Sequence, residues 1–148
     1  MKKLIFLILP FIAFSCVKNA AQVEPVTVEF RVAETEPAAG LVETVFEPTG
    51  EKFYVHQDAS IDNVDVVSAK VNEHQGSLAI DIRFSDQGSG KFALMTSENV
   101  EKHIAILVDG KLISAPIVKA PILNGRALII SDFTKAEADR IAAGIMKR

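Results

Sequence analysis

The stretch Ile104–Val118, IAILVDGKLISAPIV, decides how the rest of the chain is read. Ile104–Val108 is a short, wholly apolar run, and Lys111–Ile113 opens a second one. Between them stands Asp109-Gly110. Two apolar runs joined by Asp-Gly predict a β-hairpin, because a type I′ turn needs positive φ at both central residues, and Asp and Gly tolerate that best. Pro116 has no N–H to give to a ladder, so the second strand ends there or lies at a sheet edge. The Ser114-Ala115-Pro116 ending thus makes this hairpin a structural centrepiece.

Upstream, the pattern is that of strands. Val26, Val28, Phe30 and Val32 alternate with Thr27, Glu29 and Arg31, predicting a half-buried strand. Glu34–Gly40 breaks it, and Pro48-Thr49-Gly50 signals a turn after a mixed stretch, Leu41–Gly50. Lys52–His56 reads as a short strand. Turn and cap chemistry at Ser60–Asn63 allows a brief helical turn before Val66. Val67–Asn72 and Ser77–Phe84 read as two strands joined through Glu73–Gly76. In the second, Leu78, Ile80, Ile82 and Phe84 oppose Asp81 and Arg83.

The period then changes. Ser85–Val100 fits a helix capped by Ser85 or Ser89, with Gly88 and Gly90 obscuring its start. Asn124-Gly125 introduces a short strand, Ala127–Ile130. Thr134 and Glu137 form a capping box, Phe133 can staple onto Ala138, and Ala138, Ile141, Ala142 and Ile145 make one apolar stripe. Lys147 and Arg148 suit that helix's C-terminus. Several strands, two helices and a hairpin predict one α+β domain over 26–148, a sheet with two helices on one face. Its chain of 148 residues has no internal repeat.

Residues 1–15, MKKLIFLILPFIAFS, are a targeting segment: Lys2 and Lys3, an apolar Leu4–Phe14 too short to span a bilayer comfortably, then small residues Ala13 and Ser15. Cys16 follows as the single cysteine. This order resembles the lipobox of bacterial lipoproteins. The resemblance implies lipid attachment at Cys16, with residues 1–15 as signal peptide; little periodicity and Pro25 make 16–25 read as a tether. The resemblance further implies an exported domain, lipid-anchored on the periplasmic face of the inner or outer membrane. Cleavage near Ala20 or Ala21 by an ordinary signal peptidase, or retention as an uncleaved anchor, are the alternatives. No apolar run after residue 16 is long enough to cross a membrane.

A net charge of -3 sets nucleic acid aside as a partner. His56, His74 and His103 have no partner at helical spacing, so no metal site and no cofactor is expected. Ser114 lies in an Ala-Pro context rather than a nucleophile elbow. Asp81, Asp86 and Asp109 each have a structural task on a strand face, at a helix start or in a turn. No phosphate-binding glycine loop is present. The chain therefore reads as a non-enzyme, with no small-molecule substrate. The proline-bounded apolar segment Ser114–Leu123 is the binding candidate, at Ser114, Ala115, Pro116, Ile117, Val118, Pro121 and Ile122, by addition of an extended peptide to a strand edge. The competing reading is that these residues only cover the core.

Phe92–Thr96 (FALMT), Ile104–Gly110, Ser114-Ala115-Pro116, Ile122–Ala127 (ILNGRA), Phe133-Thr134 and Glu137-Ala138 occur together in an order that resembles the head subdomain of the first periplasmic domain of SecD/SecDF. Glu29–Arg31, Tyr54–His56 and Asp65–Ala69 are similar to that domain's opening strands. The resemblance runs from about Val26 to Arg148. Asn124-Gly125 stands where the family often has paired glycines, and Ser131 where it often has glycine. The resemblance implies a single ferredoxin-like, mixed or antiparallel sheet. It also implies a binding module in protein export or envelope protein handling, whose partner is unfolded or extended polypeptide. The alternative is a structural or regulatory lipoprotein that docks onto a membrane sensor or transport complex and touches no substrate.

Overall fold

The computed structural model describes residues 22–147. Residues 1–15, expected to be a signal segment, Cys16 and Arg148 lie outside the described residues. Eight strands and two α-helices follow in the order β1 (Val28–Glu34), β2 (Leu41–Phe46), β3 (Glu51–His56), β4 (Val66–His74), β5 (Ser77–Phe84), α1 (Asp86–Glu98), β6 (His103–Val108), β7 (Lys111–Ser114), β8 (Arg126–Ile130) and α2 (Lys135–Ile145). A short 3-10 turn, Asn63–Asp65, precedes β4.

The central hairpin forms as the Asp-Gly pair predicts. Asp109 has φ 49° and Gly110 φ 76°, and Val108 pairs with Lys111. Asp109 also reaches across the sheet, accepting the Thr27 N–H on Oδ1 at 2.9 Å. Ser85 caps α1, its Oγ accepting from the Gly88 N–H at 3.1 Å. Both halves of the Thr134–Glu137 capping box are made, and the α2 stripe Ala138, Ile141, Ala142 and Ile145 is buried.

The expected single sheet is replaced by two. A five-stranded antiparallel sheet has the order β2-β3-β1-β6-β7, and a separate three-stranded antiparallel sheet has the order β4-β5-β8. The cause lies in the crossover between β7 and β8. After Pro116 the chain is bound back onto the start of β6, and then onto α1, so β8 is delivered beside β5 rather than beside β7. Nor do the helices simply cover one face of one sheet. Both contribute to a core cluster that also takes Val28 and Phe30 from β1, Ile104, Ile106 and Val108 from β6, Ile80, Ile82 and Phe84 from β5, and Ile129 from β8. A second cluster occupies the opposite face of the larger sheet: Ala33, Phe53, Val55, Ala105, Leu107 and Leu112. β6 is thus buried on both faces, which explains why Ile104–Val108 shows no alternation.

Three phenylalanines hold the centre of the main cluster. Phe30 meets Phe84 edge-on at 5.5 Å and Phe92 at 5.9 Å, while Phe84 and Phe92 lie 4.9 Å apart. The two contacts of Phe30 are the edge-to-face geometry that aromatic quadrupoles favour, and Phe84 and Phe92 are tilted to one another.

Candidate functional site

The predicted binding segment is firmly seated. The Ile104 N–H donates to the Pro116 carbonyl at 3.0 Å, the Val118 N–H to the Lys102 carbonyl at 2.9 Å, and the Glu101 N–H to the Val118 carbonyl at 2.8 Å. His103 Nδ1 lies 2.6 Å from the Ala115 carbonyl; an oxygen there can only accept, so Nδ1 carries the proton. The His103 ring also meets Phe53 at 5.0 Å. Further on, the Ile122 N–H donates to Thr96 Oγ1 at 3.0 Å, and that hydroxyl donates to the Phe92 carbonyl at 2.9 Å.

This seating divides the predicted residues. Val118 is 6% exposed and belongs to the core. Ser114, Ala115 and Ile122 are half-buried, with Ser114 paired to Ile106 and Ile122 packed against the main cluster. Pro116, Ile117 and Pro121 are exposed, Ile117 at 42%. Asp109 and Gly110 form the turn.

Beside the segment lies an apolar cleft of about 440 Å³, within the usual size of a ligand pocket. Phe30, Phe92, Ile104 and Ile106 lie among its lining, with Pro116, Ile117, Val118 and Ile122 from the crossover and Arg126–Leu128 from β8. The cleft thus runs between the two sheets. The predicted segment forms one wall and the outermost strand of the smaller sheet another. Lys119 and Arg126 place positive charge at a mainly apolar site, to which Thr96 and Asn124 add polar groups. Hydrogen bonding and attraction from the Asp81 carboxylate hold the Arg126 pKa above its ordinary value.

Sequence reasoning missed Thr96 and the place of β8 beside the cleft, although it read Ala127–Ile130 as a strand. Thr96 is fully buried, and its hydroxyl ties the crossover to α1. Its place four residues after Phe92, on the apolar stripe of the helix, was a usable signal. The role of β8 depends on where its neighbours lie, which no local pattern records. Nothing brings the three histidines together: His56 and His74 are exposed at the ends of β3 and β4, and His103 is spent on Ala115. Among the described residues no three His, Cys, Asp or Glu converge as metal ligands.

The family model described as "SecDF, P1 head subdomain" matches residues 40–147. The protein translocase subunit SecD of Rickettsia bellii is 36% identical over 89 residues, which is 60% of this chain and 17% of that protein. SecD of Acidaminococcus fermentans is 38% identical over 79 residues, covering 53% of this chain and 19% of the relative. The chain therefore spans about a fifth of the length of the curated relatives it matches. Two solved structures share the fold. SecDF in its super-membrane-facing form has a TM-score of 0.67 and 22% identity over 84% of this chain and 19% of that one. A membrane component SecDF that enhances protein export has a TM-score of 0.66 and 20% identity over 84% of this chain and 63% of the other.

Proposed function

The chain belongs to the family of SecDF P1 head subdomains, and from that premise we propose that it is a non-enzymatic binding module of the cell envelope, tethered to a membrane through a lipid on Cys16. It takes unfolded or extended polypeptide into the cleft between the two sheets, in protein export or envelope protein handling. The observation that carries this reading is the apolar cleft itself. It is walled by the Pro116–Ile122 crossover and by an outermost strand, and a chain without fixed side-chain identity can be held there by apolar burial and backbone hydrogen bonds. The relatives named as translocase subunits, and the SecDF described as enhancing protein export, support the placing in export. The order of residues 1–16 supports the tether.

The test uses the full chain from the membrane fraction. Intact mass is read for the wild type and Cys16→Ala; loss of residues 1–15 with acyl additions, abolished in the variant, is the expected result. Binding of a reduced, carboxymethylated unfolded protein is then titrated against wild type and Ile117→Glu. Ile117 is exposed on the cleft, so the charge leaves the fold intact while placing an unpaired carboxylate against the bound chain, and affinity falls about tenfold or more. Absence of saturable binding at high micromolar concentration overturns the polypeptide reading. Stoichiometric co-purification with one membrane protein, without polypeptide binding, establishes the docking role in its place.

A further inference from the structure

The smaller sheet ends at β8, which β7 of the larger sheet approaches without pairing to it, and the register shows which backbone groups are left. The Phe84 N–H donates to the Gly125 carbonyl at 3.0 Å, which marks that pair as hydrogen-bonded. Antiparallel ladders alternate bonded and non-bonded pairs. Stepping by two along the register makes Ile82↔Ala127 and Ile80↔Ile129 the bonded pairs. Arg126, Leu128 and Ile130 therefore turn their N–H and C=O groups away from β5. The Arg126 N–H is taken by Asn124 Oδ1 at 3.2 Å. Those of Leu128 and Ile130 face outward from the last strand of the sheet, Leu128 on the border of the cleft. An open edge of this kind templates another strand.

Charge says what that strand carries. On the outer face, Arg126 stands directly across from Arg83, and Lys70 directly across from Asp81. Like charges opposite one another in a sheet repel. Asp81 is the single carboxylate among these three cations; it is bonded to Arg126, and among the described residues neither Lys70 nor Arg83 has an ion pair. Beside Arg126 on the same face, Leu128 and Ile130 are 39% and 40% exposed, large aliphatic side chains left partly open to solvent.

We propose that the unpaired edge of β8 receives an extended polypeptide as an antiparallel fourth strand of the smaller sheet, continuing its antiparallel order, with a carboxylate side chain set beside Arg126 and apolar side chains elsewhere. This rests on the polypeptide-binding reading and specifies its geometry and its ligand. The bound residues whose N–H and C=O groups face β8 pair with Leu128 and Ile130 through both backbone groups and with Arg126 through its carbonyl alone, and their side chains share that outer face. The intervening residues turn theirs to the side of Ala127 and Ile129, toward the cleft. Acidic and apolar requirements are therefore tied to backbone parity, so the two alternate sets of residues in the ligand are not equivalent.

The probe is a short fluorescein-labelled Val/Ile/Thr peptide with one glutamate, titrated by anisotropy against the full chain. N-methylation of the alternate residues in the glutamate's set removes the donors that face β8, and affinity falls about tenfold or more. N-methylation of the other set leaves affinity within about twofold, since those donors face away. Arg126→Glu reverses the preference between the glutamate peptide and its lysine counterpart. Equal effects of the two methylated sets overturn strand addition while leaving cleft binding standing. No binding by any of the peptides overturns the polypeptide reading itself. A concentration-dependent dimer that peptide does not dissolve shows the edge taken by a second copy, and overturns the proposal.

Discussion

Gly88 and Gly90 are two residues apart in α1, yet they answer to different constraints. A Cβ on Gly88 would stand 2.7 Å from the Asp65 carbonyl oxygen and 2.8 Å from Asp65 Cβ. Neither atom can retreat. Asp65 is 3% exposed, its carbonyl accepts from the Ser85 N–H at 2.8 Å, and its carboxylate holds Lys91 Nζ at 2.8 Å. Replacing a helical glycine by alanine gains about 1 kcal/mol of propensity, whereas forcing a methyl into a packed site costs about 1–3 kcal/mol. Gly88→Ala is therefore expected to lower stability, by about 1 kcal/mol net. Around Gly90 a Cβ meets nothing within 4 Å, so Gly90→Ala should raise stability by close to the full propensity gain, about 1 kcal/mol. Urea midpoints of the two variants beside wild type check the opposite signs. Stabilisation by both would mean that the approach of α1 to the 3-10 turn is looser than described.

At the scale of the element, α2 begins on a cap that titrates. The Thr134 hydroxyl donates to Glu137 Oε2 at 2.7 Å and the Thr134 N–H donates to it at 2.9 Å. The side-chain hydrogen bond, then the backbone one, lowers the Glu137 pKa below its ordinary 4.5. A carboxylate depressed on folding stabilises the native state above its unfolded pKa, and that contribution is lost as pH falls through the folded value. Glu137→Gln should be less stable than wild type at neutral pH, with the gap closing as the solution is taken below pH 4.5. Glu43, lowered chiefly by its hydrogen bond with Lys52, adds acid dependence to both proteins and cancels in the difference. A gap that stays constant into acid would show that the charge of Glu137 does not serve the cap. Caps and turns of this sort were legible in the sequence because their chemistry is local: Ser85, Asp109-Gly110 and the Thr134–Glu137 pair all act within four residues. β2 was not. Its residues are half-buried or exposed, so Leu41–Phe46 shows no alternation to read. Its strand state comes from pairing with β3, not from its own pattern.

Across the whole molecule, what escaped the sequence was which strand lies beside which. Every strand of the smaller sheet, and both strands of the central hairpin, could be read locally. That they belong to different sheets depends on the Ala115–Gly125 crossover being tied to Lys102, Ile104 and Thr96, contacts made between distant parts of the chain. The candidate site divides in the same way. The proline-bounded wall was visible in the sequence, while the facing edge of β8 was not. The difference between one sheet with helices on one face and the observed pair of sheets can be measured at Leu107. With a single sheet covered on one face only, the residue alternating with Ile106 and Val108 points to solvent, and truncating it changes stability by less than about 0.5 kcal/mol. In the structure it is 7% exposed and packs with Phe53, Val55 and Leu112 in the second cluster. Leu107→Ala should then cost about 2–5 kcal/mol, the usual range for a leucine removed from a core. Phe46 and Ala115 pack against the same cluster, so the cavity left by the truncation lies beneath both β2 and the start of the crossover. Hydrogen exchange should accordingly quicken in Leu41–Phe46 as well as in the central hairpin. A loss of stability within the surface range would remove the second cluster, and with it the account of why β6 carries apolar residues on both faces.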